Sequence, residues 1–351
     1  MRLREGLETL KPYSVEEDTW PVKADANEMP HGWNDEVKKR VTEAMAAVAG
    51  NRYPQITANS LRQLLADDLG FALENVLVGN GSSELLAAVT YAFGGKDRSV
   101  VFPTPSFSMY GVYVKLSDSD PVPVKLTKGY ALPVSELIET ARNTDAALVL
   151  LCNPNNPTGT ITAQEDIETI LQGVSCPVVV DEAYYEFYGE SSIKLIKKYP
   201  NLIVTRTFSK AFGLAAGRVG YLVGNAEAVA AIGKVLMPYH VNAFSLAAAE
   251  AVYRSRSELT GAIRRISAER ERLADQLGQI QQVTVYPSNA NFLLVRTETA
   301  QELTAFYAQQ GIGVRHFSGS PGLEGCIRIT VGTPAENEAV ILATQTFFAK
   351  K

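Results

Sequence analysis

The sequence predicts an α/β protein: a large domain with a mainly parallel sheet covered by helices on both faces, followed by a smaller α/β domain. Two observations predict it. Short β-branched runs alternate with helix-length stretches from about residue 76 to 224, the pattern that builds parallel sheets through crossover helices. Several runs, such as 146–152 and 177–180, are apolar at consecutive rather than alternate positions, so both faces of each strand are expected to be buried. The length is sufficient: 351 residues, 46% hydrophobic and 20% charged, can supply two cores.

Residues 1–35 hold Pro12, Pro21 and Pro30 with little apolar periodicity, and read as an extended arm lying across the small domain and a partner. Val37, Val41, Met45 and Val48 recur at helical spacing and predict an amphipathic helix that stops at Gly50. Asn51-Arg52-Tyr53-Pro54 then breaks the chain. Asn59 or Ser60 is placed to cap the next helix, which runs through Leu61, Leu64, Leu65 and Leu69 to Gly70. Val76-Leu77-Val78 leads into Gly79-Asn80-Gly81-Ser82-Ser83 and a helix to Phe93, and residues 99–102 precede a turn and a helix around Tyr110. Further strands are expected at 146–152, 177–180, 201–205 and 218–223. From about 243 to 277 the pattern is helical, first alanine-rich and then charged, with Arg264-Arg265 and Glu269-Arg270-Glu271-Arg272 expected to face solvent. Residues 283–286, 291–296 and 327–331 alternate better and, with a last helix from Ala335, form the smaller unit. The expected division is an arm 1–35, a large domain 36–250 and a small domain 251–351.

Composition excludes several classes. A net charge of −5 with no dense lysine and arginine block leaves no footprint for nucleic acid. Cys152, Cys176 and Cys326 are odd in number and flanked by apolar residues, so reduced structural thiols and a cytoplasmic location are expected. The charged start Met1-Arg2-Leu3-Arg4-Glu5 precedes no apolar run of signal-peptide length, and no span suits a membrane. His31, His240 and His316 are scattered, no cysteine pair has zinc spacing, and no metal site is expected.

The chemistry gathers at strand ends. Lys210 lies in the small, apolar stretch 207–221; desolvated there, its amine loses a proton more easily and becomes nucleophilic, whereas on a surface turn it stays an ordinary cation. One strand delivers Asp181 to a buried carboxyl edge, where a carboxylate needs a positive partner. Another runs into Asn153-Pro154-Asn155-Asn156-Pro157-Thr158-Gly159. The loop Gly79-Asn80-Gly81-Ser82-Ser83-Glu84 opens a helix and is either an anion site or a tight turn with Ser82 or Ser83 as cap. Ser209 and Arg218 can add a hydroxyl and a two-pronged guanidinium to the same anion. An amine, a buried acid, an amide and a phosphate cradle together describe a site for pyridoxal 5′-phosphate.

The series Asn-Pro-Thr-Gly, Asp-x-Ala-Tyr, Ser-Lys with an arginine eight residues on, and Arg-Ile-Thr near the end resembles the fold-type I aminotransferases, over nearly the whole chain. Within them it is most similar to the histidinol-phosphate aminotransferases. That resemblance implies an aspartate aminotransferase-like fold and a homodimer with shared active sites. It makes Lys210 the Schiff-base lysine and acid-base catalyst, Asp181 the partner of the ring nitrogen, and Asn156 and Tyr184 the partners of the ring oxygen O3′. It puts the cofactor phosphate among Gly81, Ser82, Ser83, Ser209 and Arg218, with Tyr53 reaching from the other subunit. Phe107 matches the stacking aromatic, with Tyr110 as the alternative. Arg328 would hold the substrate phosphate and the carboxylate of a 2-oxo acid, with Arg315 as a second arginine for the phosphate. Leu10-Lys11-Pro12-Tyr13 and Asp25-Ala26-Asn27-Glu28-Met29-Pro30 match two signatures of the narrower group, which would bring Tyr13 and Asn27 to the substrate. Ser83 and His316-Phe317 depart from its pattern. The implied reaction exchanges the amino group of L-histidinol phosphate with 2-oxoglutarate. An aromatic amino-acid aminotransferase, a threonine-phosphate decarboxylase and a non-catalytic regulator that binds the cofactor are the rivals. The small residues Gly213 and 215–217 are expected to let the backbone pass beneath the cofactor.

Overall fold

The computed structural model describes residues 20–350. Tyr13 lies outside them. The strands are β1 Val22–Ala24, β2 Val76–Gly79, β3 Ser99–Thr104, β4 Asp120–Lys125, β5 Leu148–Cys152, β6 Val178–Asp181, β7 Leu202–Thr207, β8 Gly220–Gly224, β9 Thr284–Val285, β10 Phe292–Arg296, β11 Ile312–His316 and β12 Cys326–Thr330. Seven form one sheet in the order β2-β8-β7-β6-β5-β3-β4, and five form another in the order β1-β11-β12-β10-β9. In the large sheet β4, β3, β5, β6 and β7 are parallel, and β8 runs against both its neighbours.

The consecutive apolar residues divide between the two faces, as doubly buried strands require. Val149 and Leu151 of β5 enter one core with Leu137, Ile167 and Ile170, from the helices Val134–Asn143 and Gln164–Gly173. Leu148, Leu150 and Cys152 enter the other with Leu85, Tyr110 and Val229, from Gly81–Phe93, Met109–Leu116 and Ala226–Gly233. Each fully buried leucine or valine contributes roughly 1.5–3 kcal/mol, so a one-residue slip of β5 would be costly only through packing, not through exposure of a polar face.

The small sheet has its own core, where Leu293, Ile312, Ile327 and Ile329 meet Tyr307, Val340 and Phe347 from the helices Ala300–Gln309 and Pro334–Ala349. The last of these helices starts on a reciprocal cap: Thr333 accepts from the Glu336 N–H, Glu336 accepts from the Thr333 N–H, and Pro334 follows. The helix Arg256–Gly278 belongs to both cores, with Leu259 in the large one and Leu273 and Leu277 in the small one.

Several expectations change. Neither Asn59 nor Ser60 caps the helix Asn59–Leu69; Ala58 precedes it in the left-handed region (φ 50°), and the Gln55 side chain accepts from the Ser60 N–H at 2.9 Å. Gly70 does end it, at φ 71°. The helical region from 243 is two helices that meet at Ser255, whose hydroxyl donates back to the Ala251 carbonyl at 2.9 Å. Arg264 and Arg265 are exposed, but Arg270 is buried and donates to the Ala290 carbonyl at 3.1 Å. Part of the arm is packed: β1 pairs in parallel with β11, Val22 opposite Ile312. Among the described residues, no helix is long and apolar enough to cross a membrane. All three cysteines are buried and unpaired with one another.

One glycine positions the site. A Cβ on Gly220, at the start of β8, would stand 2.3 Å from the Ser82 backbone nitrogen, so only glycine lets β8 pass beneath the start of the helix Gly81–Phe93. Gly220→Ala is expected to cost about 1–3 kcal/mol, read as a lower urea midpoint; an unchanged midpoint would contradict this packing.

Candidate active site

The carboxyl ends of β5, β6 and β7, the first turn of the helix Gly81–Phe93, the cavity-facing side of β11 and β12 and the residues after β1 enclose a cavity of about 650 Å³. This is where ligands collect on an open α/β sheet. Asp181 closes β6 on the cavity floor, in register with Cys152 of β5 and Thr205 of β7. Its Oδ1 accepts from Thr205 Oγ1 at 3.2 Å and its Oδ2 from the Tyr110 hydroxyl at 3.2 Å. Burial pushes its carboxyl up to about 6, opposed by the hydrogen bonds from Thr205, Tyr110 and the Ala183 backbone, and its hydrogen-bond donors are neutral.

Lys210 follows β7, and its Nζ donates to the Ala26 carbonyl at 2.9 Å. Burial first, and then the charge of Arg328, push its amine down to about 7, with Glu28 opposing. The Lys210 Nζ stands 5.9 Å from the ring centre of Tyr184. The Tyr184 hydroxyl accepts from Asn27 Nδ2 at 3.0 Å, and burial holds the phenol protonated. Asn27 lines the cavity but is itself tied down: its N–H donates to Thr330 Oγ1 at 2.9 Å and its carbonyl accepts from Asn291 at 3.1 Å.

Asn156 is buried and its Oδ1 accepts from Arg328 Nη1 at 2.8 Å; Arg328 also donates through Nη2 to the Asp25 carbonyl. Arg315 sits directly across from Arg328 in the β11 and β12 register, and both line the cavity. At the opposite end Ser82 and Ser83 present the first turn of their helix, and Arg218 Nη1 donates to Ser209 Oγ at 3.1 Å. Gly81 has φ 78°, and a Cβ on it would lie 2.7 Å from Arg218 Nη2. Free N–H groups, a helix dipole, a hydroxyl and a guanidinium thus face one spot, as an anion requires.

Phe107 lines the cavity, while Tyr110 lies beneath it, edge-on at 5.6 Å between ring centres. Tyr53 is not brought to the cavity by its own chain; it is 80% exposed and stacks on Tyr239 at 4.5 Å. Packing within the protein also requires small residues in 207–221. A Cβ on Gly217 would meet the Leu214 side chain at 2.6 Å, and Gly213, at φ 65°, lies against the Trp33 indole nitrogen. Trp20, Thr304 and the Ala26 carbonyl had no local signature in the sequence, and Tyr110, the alternative stacking aromatic, bonds Asp181 instead of lining the cavity.

These residues fit pyridoxal phosphate. A buried carboxylate bonded by neutral donors suits a ring N–H⁺, an anion cradle lies on the same cavity, and a partly neutral amine lines it too. The family model for aminotransferase class I and II matches residues 22–343. The chain is 40% identical to the histidinol-phosphate aminotransferase of Caldanaerobacter subterraneus subsp. tengcongensis, over 97% of each chain. It is 42% identical to that of Thermoanaerobacter sp., over 97% of this chain and 96% of the relative. The crystal structure of histidinol-phosphate aminotransferase from Sinorhizobium meliloti in complex with pyridoxal-5′-phosphate superposes with a TM-score of 0.89 at 25% identity, covering 97% of this chain and 96% of that one.

Acylation of Lys210 by an amine-selective reagent in the apoprotein is expected to be half-maximal near pH 7, and Arg328→Ala to move the midpoint upward. The folded value lies below the ordinary 10.5, so the unfolded chain binds more protons and stability rises with pH between about 7 and 10.5. Lys210→Met should therefore raise the urea midpoint most at or below pH 7, the gain fading toward pH 10; a midpoint of acylation above pH 9 would refute the desolvated amine.

Proposed function

Because the chain belongs to the class I and II aminotransferases, we propose that it transfers the amino group of L-histidinol phosphate to 2-oxoglutarate with pyridoxal phosphate held in this cavity. The observation that carries the choice of substrate is the register pairing of Arg315 with Arg328. Two guanidinium groups directly opposite on one sheet face repel, and an anion that accepts from both relieves the repulsion. A phosphate dianion does this better than the side chain of an aromatic amino acid.

Bound here, the cofactor supplies an aldehyde that condenses with amines and a protonated ring that withdraws electrons from the substrate α-carbon. Asp181 holds the ring nitrogen proton. Tyr184 and the Asn156 amide orient the ring oxygen, Phe107 covers a ring face, and Ser82, Ser83, Ser209 and Arg218 hold the phosphate with the Gly81 backbone. Lys210 Nζ, part neutral near pH 7, would take the proton from the substrate α-carbon as a base and deliver it as an acid to the cofactor carbon that carried the aldehyde. Arg328 holds the donor's phosphate and, in the other half of the cycle, the carboxylate of the 2-oxo acid. Asn156, bonded to Arg328, keeps that guanidinium aimed while the two substrates alternate. In this reading the enzyme is a cytoplasmic homodimer. The exposed Tyr53 and its stacking partner Tyr239 belong to the shared face, and each Tyr53 completes the phosphate site of the other copy.

Arg315→Ala is expected to raise KM for histidinol phosphate about 10- to 100-fold with kcat changed much less, the loss of one charge-assisted pair. Phenylalanine accepted as readily as histidinol phosphate, before or after that substitution, would overturn the substrate assignment. Borohydride is expected to fix the cofactor onto Lys210, and turnover by Lys210→Ala would sink the mechanism.

A further inference from the structure

Tyr110 sets an aromatic hydroxyl against Asp181 on the floor of the site without lining the cavity itself. Its side chain is fully buried, packed edge-on against Phe107 at 5.6 Å and Phe102 at 6.3 Å, so the ring is held and its oxygen is fixed. Three residues earlier, the cavity-facing position carries phenylalanine, which needs no partner. The hydroxyl is placed underneath instead. A buried phenol with nothing to bond is costly, and here its proton goes to Asp181 Oδ2 at 3.2 Å.

The other groups facing Asp181 leave this bond a distinct job. Thr205 Oγ1 from β7 donates to the other oxygen, the Ala183 N–H donates from the following turn, and Cys152 from β5 keeps its proton because burial raises its thiol. Glu182 adds a repelling charge. Burial likewise keeps the Tyr110 phenol protonated, so it acts as a donor across the working range. A carboxylate that receives a donor shares its charge and binds a further proton less strongly.

With Asp181 taken, as proposed above, as the partner of the cofactor ring nitrogen, we propose that Tyr110 is a positioning residue: its O–H, donated to Asp181 Oδ2, keeps the shared proton on the nitrogen rather than on the carboxylate. The ring then stays a full cation and an effective electron sink. Tyr110 acts through Asp181 and never meets the substrate.

Tyr110→Phe tests this, since it keeps the ring and removes only the oxygen. In the apoprotein, labelled with ¹³C-carboxyl aspartate and assigned through Asp181→Asn, the titration of Asp181 is expected to move up from about 6 by about one pH unit. Replacing Tyr110 by 3-fluorotyrosine, a stronger donor of the same shape, should move it down. In the loaded enzyme the ring-nitrogen resonance of ¹⁵N-labelled pyridoxal phosphate is expected to shift in Tyr110→Phe toward the unprotonated value, and deuterium exchange at the substrate α-carbon to slow about tenfold. Phe102→Leu, which loosens the packing on the same ring, should lower stability and move neither resonance. An Asp181 titration and a ring-nitrogen resonance both unchanged in Tyr110→Phe would overturn the role of Tyr110. A wild-type ring nitrogen already unprotonated would overturn the assignment of Asp181 instead, and the apoprotein titration would still read the bond from Tyr110.

Discussion

Two carboxylates side by side at the end of one buried strand set the terms for everything around them. Alternation along the chain sends Asp181 and Glu182 to opposite sides, and only one of them is neutralised by the protein. Glu182 Oε2 lies 2.9 Å from Arg206 Nη2 and accepts from Ser191 Oγ at 2.7 Å, while Oε1 accepts from the Ser192 N–H at 2.6 Å. The Arg206 guanidinium in turn lies 3.5 Å from the ring centre of Tyr185. Such a pair holds together because each half would be far worse alone in the interior. Asp181 has neutral donors and an open cavity. The sheet end is thus braced on one side by an ion pair it completes itself, and left on the other with a charge that a ligand must complete.

The small sheet supplies what the large one lacks. Arg315 and Arg328 come from its middle strands, and the residues after β1 run between the sheets, giving the Ala26 carbonyl to Lys210 and the Asn27 amide to Tyr184. The first strand is therefore a working part of the site rather than a tether. The helix Arg256–Gly278 has its two ends in different cores and so links the packing of the two sheets.

Most of the large sheet was legible in the sequence because its central strands are buried on both faces and advertise it in consecutive apolar residues. β4, β11 and β1 lack that mark. In β4, Pro121 and Pro123 disguise an edge strand, which tolerates them since one side of its backbone pairs with nothing. In β11, Gly313 lies under the Trp20 indole, and β1 is only three residues long. Of the site, Lys210, Asp181 and Asn156 were legible because polar residues that end apolar strands stand out. Tyr110 looked like a second stacking aromatic, since a helix start gives no sign of which of two rings one turn apart faces the cavity. The packing of Leu214 over Gly217 had no mark in the sequence, because both residues belong to the same small, apolar stretch.

The bond from the Asn27 N–H to Thr330 joins residues 303 positions apart. On the ribosome, the part of the site made first waits for the part made last, and loop closure over that span brings no return until the final strands emerge. The large sheet can fold around its own core earlier, with Asp181 and Lys210 already in place. It would then have the chemistry without the arginines that select for it. No nascent chain owns a selective site until β12 is out, so a protein shortened at its carboxyl end would lose discrimination between amines before it lost the means to react with them.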